Sequence, residues 1–136
     1  MRDIYWTGFR DDLHWNLREK LNKEYHFSIH TGYSQANEFL NYMQKHKVPL
    51  IMIGNMVLTK SKDVFQKYDE ESTETARELI RQIRTNSLNT KTPILAFAHE
   101  EDQEVINAGA DAILPIFSNH DELCAIIQQH FIKKGV

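Results

Sequence analysis

The 136-residue chain is short of most things that would mark it as specialised. It has one cysteine, Cys124, so no internal disulfide can form, which fits a reducing compartment. Five glycines and three prolines are too few for a collagen-like or low-complexity chain. No apolar run approaches the roughly 20 residues that span a bilayer. The opening MRDIYWTGFRDD has no apolar core of a signal peptide. A formal charge of −3 is the reverse of the basic footprint of a nucleic-acid-binding domain. What remains is ordinary: 41% hydrophobic and 26% charged residues, in a length that makes one domain. Such a chain buries roughly 70% of its unfolded surface, enough for one core. The expectation is a soluble, cytoplasmic, single-domain protein over 1–136, in contact with neither membrane nor nucleic acid.

The apolar pattern alternates between two periods. Ile4-Tyr5-Trp6 is short and rich in β-formers, the mark of a strand. Asp11 or Asp12 can cap the next segment, where Leu13, Leu17 and Leu21 fall at helical spacing. Tyr25 to His30 alternates, with Phe27 and Ile29 on one side, and predicts a half-buried edge strand. Gly32 then predicts a turn and Ser34 an N-cap. Ala36, Phe39, Leu40 and Met43 form the stripe of an amphipathic helix. Leu50 to Ile53 is apolar on both faces, as in a central parallel strand.

After Gly54-Asn55 the pattern fails. An extended loop is expected at about 55–72, long enough to be functional or mobile. It carries Lys60, Lys62 and Lys67, then Asp69, Glu70 and Glu71, with Val64, Phe65 and Tyr68 at helical spacing between them. That apolar trio is a candidate docking element for a partner. Helical spacing returns with Ala76, Leu79, Ile80 and Ile83. Ile94 to Ala98 is a second buried strand, and 100–108 a helix that ends at Gly109. Ala112-Ile113-Leu114 is a fifth strand. Ser118 with Asp121 forms a capping-box pattern before a last helix that buries Leu123, Ile126, Ile127 and Phe131. Five β-α units with two-sided central strands predict a three-layer α/β/α sandwich around a parallel sheet. Its functional surface lies at the carboxyl ends of the strands.

Familiar catalytic signatures are missing: there is no G-x-S-x-G, no P-loop and no Gly-rich dinucleotide turn. Seven histidines invite a metal reading. His26 and His30 sit four apart on the expected strand, about 13 Å, too far for one ion. His14, His46, His120 and His130 are scattered without zinc-site spacing, and His99 alone follows a strand on the functional side. Neither a metal nor a cofactor is expected.

The segments TPILAFA (92–98), EEDQEVINAGADAIL (100–114) and SNHDELCAIIQQHF (118–131) resemble the second half of a response-regulator receiver domain. Ala108-Gly109-Ala110-Asp111 is the most specific piece, and VPLIMIG fits the first half in spacing. The resemblance implies a flavodoxin/CheY-like fold with strand order 2-1-3-4-5. It also implies a pocket of an acidic pair after strand one, a phosphoryl-accepting aspartate ending strand three, a hydroxyl ending strand four and a lysine after strand five. Carboxylates there hold Mg²⁺, and the cation and hydroxyl stabilise charge on the transferring group. Laid over this chain, the acidic pair becomes Thr7, Gly8 and Phe9. The acceptor becomes Gly54 or Asn55, the hydroxyl Ala98, and Pro115-Ile116-Phe117 follows strand five without a lysine. Ile113 stands where the family places a switch aromatic.

The resemblance is therefore to a pseudo-receiver that signals without phosphorylation and is not an enzyme. Its expected partners are a histidine kinase, an output domain or another regulator. Ile113 and Phe117 join Val64, Phe65 and Tyr68 as candidate interaction residues. The fourth and fifth helices with the strand between them offer a polar face of Gln103, Asn107, Asp121, Glu122, Gln128 and Gln129, compatible with a weak homodimer. Two other readings stand beside this one. A small-ligand binder or enzyme on a flavodoxin-like fold would use the glycine-ended strands as its floor. A receiver using Asp11 or Asp12 would lack any residue in the cationic role.

Overall fold

A computed structural model describes residues 2–9, 11–33, 35–54, 70–116 and 118–135, with side chains undescribed at 11–13, 70–73 and 132–135. Ten elements alternate: β1 (Asp3–Thr7), α1 (Asp11–Lys23), β2 (Ser28–Tyr33), α2 (Ala36–Lys45), β3 (Ile51–Ile53), α3 (Glu70–Thr85), β4 (Ile94–Ala98), α4 (Gln103–Ala108), β5 (Ala112–Pro115) and α5 (His120–Gly135). The five strands form one sheet in the order β2-β1-β3-β4-β5, every pair parallel. This is the expected three-layer arrangement.

Strand alternation sends successive side chains to opposite faces, and two cores follow. Ile51 and Ile53 of β3 with Ile94, Ala96 and Ala98 of β4 meet Phe39, Met43, Leu79, Ile80 and Val105 of α2, α3 and α4. Ile4, Trp6, Met52, Leu95, Phe97 and Leu114 meet Leu17, Leu21, Leu123 and Ile127 of α1 and α5. The middle strands are buried on both faces, which is why they read as continuous apolar runs.

Several local expectations are corrected. The strand expected at Tyr25 to His30 is displaced to Ser28–Tyr33. Phe27 N–H donates to Leu21 O at 3.1 Å and Asn22 donates to Phe27 O at 2.9 Å, so the end of α1 claims the groups a strand would need. His26, in the left-handed region at φ 62°, precedes the strand and shares no face with His30. Gly32 lies inside β2 rather than in a turn. Its φ of 108° accommodates a register shift, with Tyr5 opposite His30 but Thr7 opposite Tyr33.

Helix α3 begins at Glu70, inside the loop expected at about 55–72; residues 55–69, with Asn55, Val64, Phe65 and Tyr68, lie outside the described residues. So do Ser34 and Phe117, and α2 starts after Gln35. Helix α4 starts at Gln103 rather than at 100, because Asp102 caps it by accepting from Glu104 N–H at 3.1 Å. Gly109 closes it at φ 129°, as the sequence predicts. The cap of α5 is Asn119 and not Ser118. Its Oδ1 accepts from Glu122 N–H at 2.9 Å and its backbone oxygen from Leu123 N–H.

The amino-terminal edge of the sheet is held by polar side chains. Arg84 donates to the backbone oxygens of Gly109, Asn89 and Thr92, and to Asp111 Oδ2 at 2.7 Å. Asp111 Oδ2 also accepts from Ile94 N–H, and Asn89, fully buried, joins α2 to the strands. At the chain's start, the Arg2 guanidinium lies 4.1 Å over the Phe27 ring and 5.1 Å from that of Phe131, and donates to Gln128 Oε1.

Candidate functional site

Because all five strands are parallel, their carboxyl ends meet at one rim, and the central ends belong to Thr7, Ile53, Ala98 and Pro115. The structure brings the sequence-derived positions Thr7, Gly8, Gly54, Ala98 and Ile116 to this rim. Thr7 is fully buried and its Oγ1 donates to Tyr33 O at 2.7 Å, so its hydroxyl is committed to β2. Gly8 follows at φ 76°. Gly54 N–H donates to Thr7 O at 2.9 Å, which draws the end of β3 against the turn after β1.

That closeness decides what the rim can hold. A Cβ built on Gly8 would collide with the backbone carbonyl of Gly54, and one built on Gly54 would come within 2.5 Å of Gly8 O. The space for a side chain at each position is filled by the other's main chain. No carboxylate fits at either without separating two backbones. The glycines thus occupy one another rather than forming a ligand floor. Ala98 is buried at the end of β4 and offers only its carbonyl, which accepts from Ile116 N–H at 3.2 Å.

The remaining expected residues are spread around this centre. Phe9 is half-buried and packs edge-on against Trp6, with ring centroids 4.9 Å apart. Ile113 is half-buried against the core under α3 and α4. Asp11 and Asp12 form the first turn of α1 by their backbone.

Between the loops after β4 and β5 lies an open cleft of about 570 Å³. His99, Glu100 and Glu101 line one side, Pro115 and Ile116 supply apolar surface, and Glu122 comes from the first turn of α5. The sequence singled out His99 for its place after β4 but not the cleft, whose walls are 14 or more residues apart in the chain. No cluster of three or more His, Cys, Asp or Glu side chains that could hold a metal occurs among the described residues.

Two ring arrays were also beyond sequence reasoning. Trp6, Phe9, His14 and Phe97 gather beneath the rim, Trp6 and Phe97 stacked at 5.6 Å. On the opposite face, Tyr5 stacks on His30 at 4.3 Å and on Tyr42, which stacks on His46. His30 Nε2 lies 3.0 Å from Asp3 Oδ1. Burial, and then the hydrogen bond with Tyr42, push the Tyr5 phenol up to about 12. Burial likewise pushes the Cys124 thiol up to about 11.

No family model matches the chain, and no curated protein matches it. Solved structures do. The chemotaxis response regulator CheY4 of Vibrio cholerae superposes with a TM-score of 0.69 at 18% identity, over 96% of this chain and 98% of that one. A two-component response regulator from Clostridium difficile gives 0.69 at 20%, covering 98% of both chains. Brucella abortus NtrX gives 0.69 at 14%; 99% of this chain matches only 28% of that protein. The fold is therefore the CheY-like one that response-regulator receiver domains share. No helix among the described residues is long and apolar enough to cross a membrane.

Proposed function

We propose that the chain is a receiver-like signalling module that works without phosphorylation, through protein–protein contact in a two-component-type pathway in the cytoplasm. The observation that carries this reading is the main-chain contact of Gly8 with Gly54, where a receiver would place carboxylates for Mg²⁺ and for the phosphoryl group. Ala98 in place of a hydroxyl and Pro115-Ile116 without a lysine support it, since none of these three side chains would stabilise charge on a transferring phosphoryl group. On this reading the module catalyses nothing and needs no cofactor. A histidine kinase, an output domain or another regulator would recognise its surface.

The test is intact mass after incubation with Mg²⁺ and acetyl phosphate, with a conventional receiver treated alongside. The control gains a phosphoryl group and this chain stays at its own mass. A phosphorylated product would overturn the proposal, and mapping the modified residue would show which acid had taken the role.

A further inference from the structure

Trp15 stands on the outer side of α1 with 48% of its surface exposed, where most tryptophans are covered. It is not loosely held. The Arg18 guanidinium lies 5.5 Å from the Trp15 ring centre and 5.6 Å from that of Phe9. Phe9 in turn packs edge-on against the fully buried Trp6. A continuous stack thus runs from the core to the surface and presents an indole beside a cation. Little conformational freedom is left to lose on binding, and Trp and Arg are both enriched at the energetic centres of interfaces.

The cleft between the loops after β4 and β5 is the complement of this knob. It is concave where Trp15 is convex, and its volume of about 570 Å³ exceeds what one indole needs. Pro115 and Ile116 give apolar surface for a ring. Glu100, Glu101 and Glu122 give carboxylates for a guanidinium, and among the described residues no lysine or arginine lines the cleft. Knob and cleft sit on neighbouring elements, because Lys20 of α1 pairs with Asp121 in the first turn of α5 at 3.0 Å. A two-fold arrangement therefore lets each copy offer its own knob and receive the other's, closing the contact on itself.

We infer that a second copy of this chain occupies the cleft: Trp15 inserts against Pro115 and Ile116 while Arg18 meets the carboxylates of Glu100 and Glu101. This interface shares Pro115 and Glu122 with the face of α4, β5 and α5 but adds α1 and the loop after β4, and it stands whether or not the strand ends accept a phosphoryl group.

The test is solution mass by light scattering and sedimentation across a concentration series. The wild-type chain moves from 16.0 kDa toward twice that mass as concentration rises, and added salt shifts it back because the rim contact is ionic. Trp15→Ala weakens self-association about thirtyfold or more. Arg18→Glu and Glu101→Arg each leave a monomer with wild-type melting. Mixed in equal amounts, these two variants dimerise, since both reciprocal contacts then join opposite charges. A wild-type chain that stays monomeric throughout overturns the inference. So does a dimer indifferent to Trp15→Ala, or a mixture of the two charge variants that remains monomeric. Trp15→Ala and Glu101→Arg change exposed positions, so the inference remains testable if Arg18→Glu fails to fold.

Discussion

Arg84 and Asp111, 27 residues apart, meet at 2.7 Å across the amino-terminal edge of the sheet. The same Asp111 oxygen accepts from the first amide of β4, and the same guanidinium spans the carbonyls of Asn89, Thr92 and Gly109. One ion pair therefore fastens α3, β4 and the turn before β5. Both side chains are largely covered, at 16% and 23% exposure.

Asp111→Ala strands the Ile94 amide and an arginine already committed to carbonyls. A hydrogen bond to a charged group contributes roughly 1.5–3 kcal/mol, so the expected loss is about 3 kcal/mol. The urea midpoint falls with an unchanged slope.

Asn89 is the second fastening. Its side chain accepts from Val48 N–H and Thr92 Oγ1, and donates to the carbonyls of Met43 and His46. With Met43, Val48 and Thr92 buried, Asn89→Ala leaves several polar groups without bonds, each costing about 1–3 kcal/mol. Asn89→Asp should fare no better, because an oxygen would then face two carbonyl oxygens. Thermal unfolding of both variants checks this, and a cost below about 1 kcal/mol for either would contradict it.

Glycine substitutions separate strain from collision. Gly32 has positive φ but open space around its missing Cβ, so Gly32→Ala costs about 1–2 kcal/mol of backbone strain. Gly8 has both positive φ and the Gly54 backbone in the way. Gly8→Ala should cost clearly more than Gly32→Ala in the same denaturant titration. Gly54→Asp, the change that would restore an acceptor, should yield unfolded protein and no acyl phosphate.

Alkaline pH should destabilise the fold. The Tyr5 phenol is raised from 10 to about 12 and the Cys124 thiol from 9 to about 11, burial being the first cause for both. Above the unfolded values the unfolded chain releases protons that the native state retains, so stability falls as pH rises. The loss begins near pH 9 and is complete near pH 12. Melting temperature against pH measures it, and Tyr5→Phe flattens the fall between pH 10 and 12. The same burial leaves Cys124 unreactive to a thiol reagent until the protein unfolds.

Sequence reading reached the layers because β3 and β4 are apolar on both faces and the helices carry clear stripes, whereas the strand order came from the resemblance to receiver domains. It misplaced β2, since the alternation from Tyr25 to His30 cannot show that α1 has already claimed the Phe27 backbone. It placed the cap of α5 at Ser118, whereas the structure places it one residue on, at Asn119. At the site, the absent carboxylates were plain in the letters. The reason none would fit was not, because the approach of Gly8 to Gly54 depends on two strands 46 residues apart. The most recognisable piece, Ala108 to Asp111, belongs to the fastened edge and not to the rim where chemistry would occur.

The Arg2 clasp bears on how the molecule assembles. Its bond to Gln128 joins positions 126 residues apart, and its guanidinium covers rings from both the beginning and the end of the chain. Contacts between such distant positions carry the largest entropy of closure, so they form late. The first and last elements are thus brought together after the central strands have paired, and the same clasp, opening first, would let the edge strand β2 and the end of α5 loosen while the middle of the sheet still holds.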